Sequence, residues 1–233
     1  MRAFVYRQFF FLLPLMLFML FLVAPFAVTG EPMVEWYRVF RARNKEITDV
    51  FKFVSEWGNL PLLAPYAALL FMSIRRKSAR GVNIVLTFAL IQYALVMGLV
   101  HVLKICIGAP RPFVTNQELY HHFTLESRFQ SFPSGHTAEA IGNAAPLAHK
   151  ESFTKNCFHA FLWGIFPGIV AYSRIFLGRH HPIDLLGGTL LATLGTALIL
   201  YLLKGPPLWE RFPLLGWLPE KLPWLCQKDN STD

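Results

Sequence analysis

Residues 9–28 read FFFLLPLMLFMLFLVAPFAV, an apolar run without a charged residue. A helix rises about 1.5 Å per residue, so about twenty residues cover the roughly 30 Å hydrocarbon core of a bilayer. Arg2 and Arg7 precede the run, as in a secretory signal. A cleaved signal has an apolar part of only about 7–15 residues and a small-residue cleavage site. The run is longer and its Ala-x-Ala chemistry is poor, so it reads as a retained anchor.

The same ruler applied along the chain finds five further segments, at about residues 60–74, 83–107, 135–147, 158–177 and 183–203. The 135–147 segment has the weakest hydropathy and is recognised mainly by the charges that bracket it. Composition agrees: 54% of the 233 residues are hydrophobic and 15% charged, against about 25% charged in ordinary soluble domains. The expected fold is all-α, a polytopic six-transmembrane-helix bundle over residues 1–204. A Pro/Trp-rich cytoplasmic tail over residues 205–233 follows, resting at the interface. Frequent Pro excludes a long helix there, and Trp suits the bilayer boundary.

The net charge is +8. The positive residues sit in short clusters between apolar stretches, and no nucleic-acid module is present, so the bilayer is the expected partner and nucleic acid is not. Cations of short loops face the cytoplasm. Arg2, Arg7, Arg75, Arg76, Lys77, Arg80, Lys150, Lys155 and Lys204 fall on one side if six spans alternate. Both termini are then cytoplasmic, and residues 29–59, 108–134 and 178–182 face outward. Within residues 31–56, Trp36, Val39, Phe40, Val50, Phe51 and Val54 recur at roughly helical spacing, which suits an amphipathic helix on the outer surface. Cys106, Cys157 and Cys226 are odd in number, widely spaced and lack a C-x-x-C pattern, so neither a disulfide framework nor a zinc site is expected.

The remaining charges gather at the outer ends of the later segments: Lys104, Arg111, Arg174 and Arg179, with His136, His180, His181 and Asp184. Charge at membrane depth is costly and marks function. Fixed Arg and Lys groups match the charge that a phosphoryl group spreads over its oxygens. Pro110 and Pro112 end the helix that carries Lys104, which places Arg111 on a turn just above it. Pro133-Ser134-Gly135-His136 opens the next helix, where backbone N–H groups and the helix dipole favour an anion; Ser134 alone is a helix cap, and His136 could protonate a leaving alkoxide. His180 and Asp184 are four apart; if a helix begins near Arg179 they share a face, and the carboxylate would fix the imidazole tautomer. His181, three before Asp184, is a rival nucleophile that geometry alone does not exclude.

Lys104-x6-Arg111-Pro112, Pro133-Ser134-Gly135-His136 and Ser173-Arg174-x5-His180-x3-Asp184 together resemble the three-part signature of the type 2 phosphatidic acid phosphatase family, which also includes glucose-6-phosphatases and vanadium haloperoxidases. No defining position departs from the pattern. The resemblance implies that Lys104, Arg111 and Arg174 bind phosphate and that Ser134 and the Gly135 backbone add hydrogen bonds. It implies His180 as nucleophile forming a phosphohistidine, Asp184 as its orienting group and His136 as proton donor. No metal and no cofactor are implied, and the site faces outward, toward periplasm or cell exterior.

The expected function is hydrolysis of a phosphomonoester or pyrophosphate on a membrane lipid: undecaprenyl pyrophosphate, phosphatidylglycerophosphate, phosphatidic acid or lipid A type. The compact chain reads as bacterial and its location as the inner membrane; no obligate protein partner is inferred. A lipid phosphotransferase using the same intermediate is the alternative. A non-catalytic lipid carrier could dispense with His180 or Asp184, and a membrane-spanning haloperoxidase is a remote third reading. His101 and Glu139, each one turn deeper than a signature residue, are expected to pair and steady Lys104 or His136. His121, His122, His149 and His159 read as loop or interface residues. The Asn-x-Ser/Thr site at Asn230 falls in the tail.

Overall fold

A computed structural model of the chain describes residues 2–29, 32–114, 120–149 and 156–226. Lys150, Lys155 and Asn230 lie outside the described residues. The protein is helical, with no strand among the described residues. Helices α1 (Arg2–Leu22) and α2 (Ala24–Thr29) come first, then α3 (Met33–Arg43), α4 (Lys45–Trp57) and α5 (Ala64–Arg76). Next, α6 (Ala79–Phe88) passes through a π-helical segment, residues 89–96, into α7 (Met97–Ile107). Then come α8 (Gly135–His149), α9 (Cys157–Phe176) and α10 (Pro182–Leu202). The short helices α11 (Leu208–Arg211) and α12 (Trp217–Lys221) lie in the tail.

The first apolar run breaks at Val23, and Pro25 takes a place in the first turn of the next helix, where its missing N–H costs nothing. Among the described residues, four helical runs are long and apolar enough to cross a membrane: Arg2–Phe26, Lys45–Arg76, Ala79–Ile107 and Pro182–Leu202. The other two expected spans, α8 and α9, exist as helices but fall outside that set. α8 has only 15 residues, and its place in the bundle accounts for its weak hydropathy. From Thr137 to His149, α8 is buried except at Glu139, and it packs on α9 and α10. A helix enclosed by protein needs small residues for close approach rather than lipid-compatible ones, and Ala138, Ala140, Ala144, Ala145 and Ala148 are all fully buried. In contrast, α10 exposes Ile183, Leu186, Leu190 and Leu194, a stripe at three- and four-residue spacing that suits acyl chains.

The packing of α1 on α9 is equally close. A methyl group on Gly164 would overlap the main-chain oxygen of Phe11, and Phe11 itself is fully buried. At one end of the bundle α3 and α4 form a hairpin. It is clamped to α9 by an aromatic cluster in which Phe51 stacks on Phe176 with ring centres 4.2 Å apart. Tyr37 and Tyr172 share a hydrogen bond of 2.6 Å there. The outer side of α4 carries Ile47, Val50, Phe53 and Trp57, all exposed. The region is therefore two helices with a packed inner face, rather than one helix lying on a surface. The tail is also packed more firmly than an interfacial rest requires. Trp209 and Leu225 bury against Val82 of α6, and Asn83 Oδ1 accepts from the Leu208 amide at 2.9 Å.

His149 departs from the loop reading: it is buried at the end of α8, its Nε2 2.9 Å from Gln8 Oε1. Gly164→Ala should push α1 off α9. Overpacking costs about 1–3 kcal/mol, so thermal unfolding of the detergent-solubilised variant should show a clearly lowered midpoint.

Candidate active site

The ends of α7 and α9 and the starts of α8 and α10 meet at the hairpin end of the bundle. α7 stops at Ile107 because Gly108 takes φ +61°, a conformation that favours glycine. Arg111 then lies on the turn above Lys104, as the two prolines predict. Both cations are held by main-chain carbonyls of one short segment: Lys104 Nζ donates to Gln130 O at 2.6 Å, and Arg111 Nε to Ser127 O at 2.8 Å. Neutral carbonyls fix the groups without cancelling their charge.

Arg174, on the last turn of α9, donates to Ser55 Oγ of α4. Its Nε is buried with no hydrogen-bond partner among the described residues. Lys104, Arg111 and Arg174 lie within electrostatic reach of one another, and His136 within reach of all three and of His180. Arg111, His136 and Arg174 line a cavity of about 1110 Å³ that opens under the α3–α4 hairpin. His180 is 2% exposed and adjoins this group from behind rather than lining the cavity.

The Asp184 side chain joins the segments. Its Oδ2 accepts from the Ser131 hydroxyl and, at 2.8 Å, from the His181 amide. His180 Nδ1 lies 3.3 Å from the same oxygen. An ionised carboxylate only accepts, so the proton sits on Nδ1 and Nε2 keeps its lone pair. α10 begins at Pro182, not near Arg179, so His180 reaches Asp184 from the preceding turn and the two do not share a helical face. His181 is the capping residue, its amide committed to the carboxylate. Burial pushes the His180 imidazole down to about 4, with Lys104 and Arg174 lowering it further and Asp184 acting against them. It is therefore neutral at neutral pH. Burial, then Arg179, also lowers Arg111.

The Pro133–His136 turn seats on α10. The Ser134 amide donates to the main-chain oxygen of Asp184 at 2.9 Å, so this N–H is not open to an anion. Ser134 Oγ accepts from the Thr137 amide at 3.4 Å, as a helix cap does, and from Thr137 Oγ1 at 2.9 Å. A methyl group on Gly188 would strike the Ser134 carbonyl oxygen, so the glycine lets α10 approach. The Gly135 and His136 amides precede the first backbone bond of α8, from Ala138 to Ser134.

The His101–Glu139 pairing is corrected. Glu139 accepts from Asn59 Nδ2 at 2.6 Å and from Tyr93 OH at 3.5 Å. His101 bonds Met97 O at 2.7 Å on its own helix and is exposed. They sit on different sides of their helices, which spacing along each helix could not reveal. Ser55, Ser131, Gly188 and the carbonyls of 127–130 were not singled out from sequence. Ser131 has only its place two residues before Pro133 as a signal, and Ser55 has none.

A family model described as the PAP2 superfamily matches residues 84–206, more than half of the chain. Phosphatidylglycerophosphatase B of Haemophilus influenzae is 36% identical over 99 residues, 39% of this chain and 39% of its own length. An undecaprenyl-diphosphatase of Sulfolobus acidocaldarius is 26% identical over 194 residues, 80% of this chain and 88% of its own. Undecaprenyl-diphosphatase BcrC of Bacillus subtilis is 31% identical over 83 residues, 36% of this chain and 39% of its own. The chain thus spans well under half the length of the first and last of these. No solved structure matches significantly. The chain belongs to the PAP2 superfamily.

Proposed function

We propose that this chain is an integral membrane lipid phosphatase that hydrolyses a phosphomonoester or pyrophosphate through a phosphohistidine on His180, without a metal. One observation carries the reading: a neutral, carboxylate-oriented imidazole adjoins three cations, none of them in an ion pair among the described residues. Lys104, Arg111 and Arg174 bind the phosphoryl oxygens and stabilise the charge that grows on them. The buried, unpartnered Arg174 Nε is one donor available for that task. The Gly135 and His136 amides add to it, with Ser134 shaping their turn.

His180 Nε2 attacks phosphorus, and the bond to the lipid oxygen breaks. His136, at the cavity wall, gives its proton to that oxygen and then takes one from the water that cleaves the P–N bond. Asp184 holds the imidazole throughout. In this reading α8 and α9 complete six spans, the lipid tail lies along the bundle, and the site faces outward in a bacterial inner membrane.

The purified protein should release inorganic phosphate from a panel of lipid phosphates and pyrophosphates; a panel wholly unhydrolysed would contradict the reading. His180→Ala should abolish release while the thermal midpoint stays near that of the parent, and substantial residual activity would shift attention to His181. Because the free imidazole titrates at about 4 rather than at 6.5, kcat/KM should hold as pH falls through 6.5 and drop only near 4. An acid limb at 6.5 would show an unburied nucleophile. Activity should survive EDTA and be inhibited by vanadate.

A further inference from the structure

The cavity holds more positive charge than one phosphoryl group needs. Beyond Arg111 and Arg174, its wall carries Arg38, Arg41, Lys52 and Arg179; Lys104 does not line it but lies within electrostatic reach of Arg111 and Arg174. Arg38 and Lys52 are neutralised by Glu35 and Asp49, at 2.5 and 2.9 Å. Arg41 and Arg179 have no ion-pair partner among the described residues. Arg179 lies within electrostatic reach of Arg41 on one side and of Arg111 and Arg174 on the other. The cations therefore form a continuous row from the inner site toward the hairpin. Glu56, within reach of Arg174, and Asp184 are the carboxylates that act on it.

Arg41 is held in place there. It donates to the carbonyl of Phe176, the last residue of α9 before the turn that leads to His180. Gly178 in that turn has φ +66°, and a methyl group on it would come within 3.2 Å of the Arg41 guanidinium. The turn thus leaves room for Arg41, which reaches the site because the aromatic cluster docks α3 and α4 on α9.

We infer that Arg41 and Arg179 form a second anion subsite, outward of the first, that takes the inner phosphate of a lipid diphosphate. This rests on the phosphatase reading above and specifies its substrate class. The terminal phosphate occupies the Lys104–Arg111–Arg174 site. The Nε2–P bond forms as the bridging P–O bond breaks, and its electron pair leaves with the lipid monophosphate. Arg41 and Arg179 compensate the charge arriving on that leaving group. Water then cleaves the P–N bond and frees inorganic phosphate. A lipid monophosphate has no group to place in the outer subsite.

The test compares a polyprenyl diphosphate with the monophosphate of the same tail, using the purified full chain and its Arg41→Ala, Arg41→Lys and Arg179→Ala variants. The parent should prefer the diphosphate. In Arg41→Ala and Arg179→Ala, the ratio of kcat/KM for diphosphate over monophosphate should fall about 10- to 100-fold, the size expected for a lost charge-assisted hydrogen bond. Arg41→Lys should recover part of it. In the parent, inorganic diphosphate should compete more strongly than orthophosphate, a readout independent of whether any variant folds. An unchanged ratio, equal losses on both substrates, equal inhibition by the two anions or a parent preference for the monophosphate would each overturn the subsite while leaving the phosphatase reading intact. A parent that hydrolyses neither lipid would overturn that reading as well.

Discussion

The Asp184 carboxylate is the point on which the site end of the bundle depends. One oxygen accepts from the Ser131 hydroxyl and the His181 amide and lies beside His180 Nδ1, and the Asp184 main-chain oxygen accepts from the Ser134 amide. A buried carboxylate left short of donors is costly. The arrangement therefore ties the start of α10, the α9–α10 turn and the turn before α8 into one geometry. The same bonds set the imidazole tautomer, so packing and chemistry are not separable here. Next to this anchor, the cations are braced by carbonyls and a serine rather than by acids. The three cations therefore repel one another.

Much of this was legible in the sequence, for identifiable reasons. The bundle ends follow from Pro110, Pro112 and Pro182, and the cations and histidines cluster near those ends because charge is excluded elsewhere. α8 and α9 were found within two residues of their bounds at each end, although α8 has weak hydropathy. That weakness has a physical origin: α8 is enclosed by protein and uses alanine rather than leucine. Hydropathy reports contact with lipid, and it is silent about a helix that touches none.

What the sequence hid is contact between distant segments. His101 and Glu139 share depth but face apart, because depth along a helix says nothing of azimuth between two helices. Ser55 and Arg41 reach the site only through the docking of the α3–α4 hairpin on Tyr172 and Phe176. That hairpin lies before residue 84, where the family match begins. Residues 84–206 contain Lys104, Arg111, His136, Arg174, His180 and Asp184, and the hairpin contributes Ser55 and Arg41 from outside that match.

The account centres on His180 as the atom that takes the phosphoryl group. Mixing the protein with a radiolabelled lipid phosphate, quenching in alkali within milliseconds to seconds and mapping the label by peptide tests this most directly. The account predicts a base-stable, acid-labile label on the peptide carrying His180, transient in time and absent from His180→Ala. A label on another residue, or phosphate released at full rate with no label at any time, would contradict it.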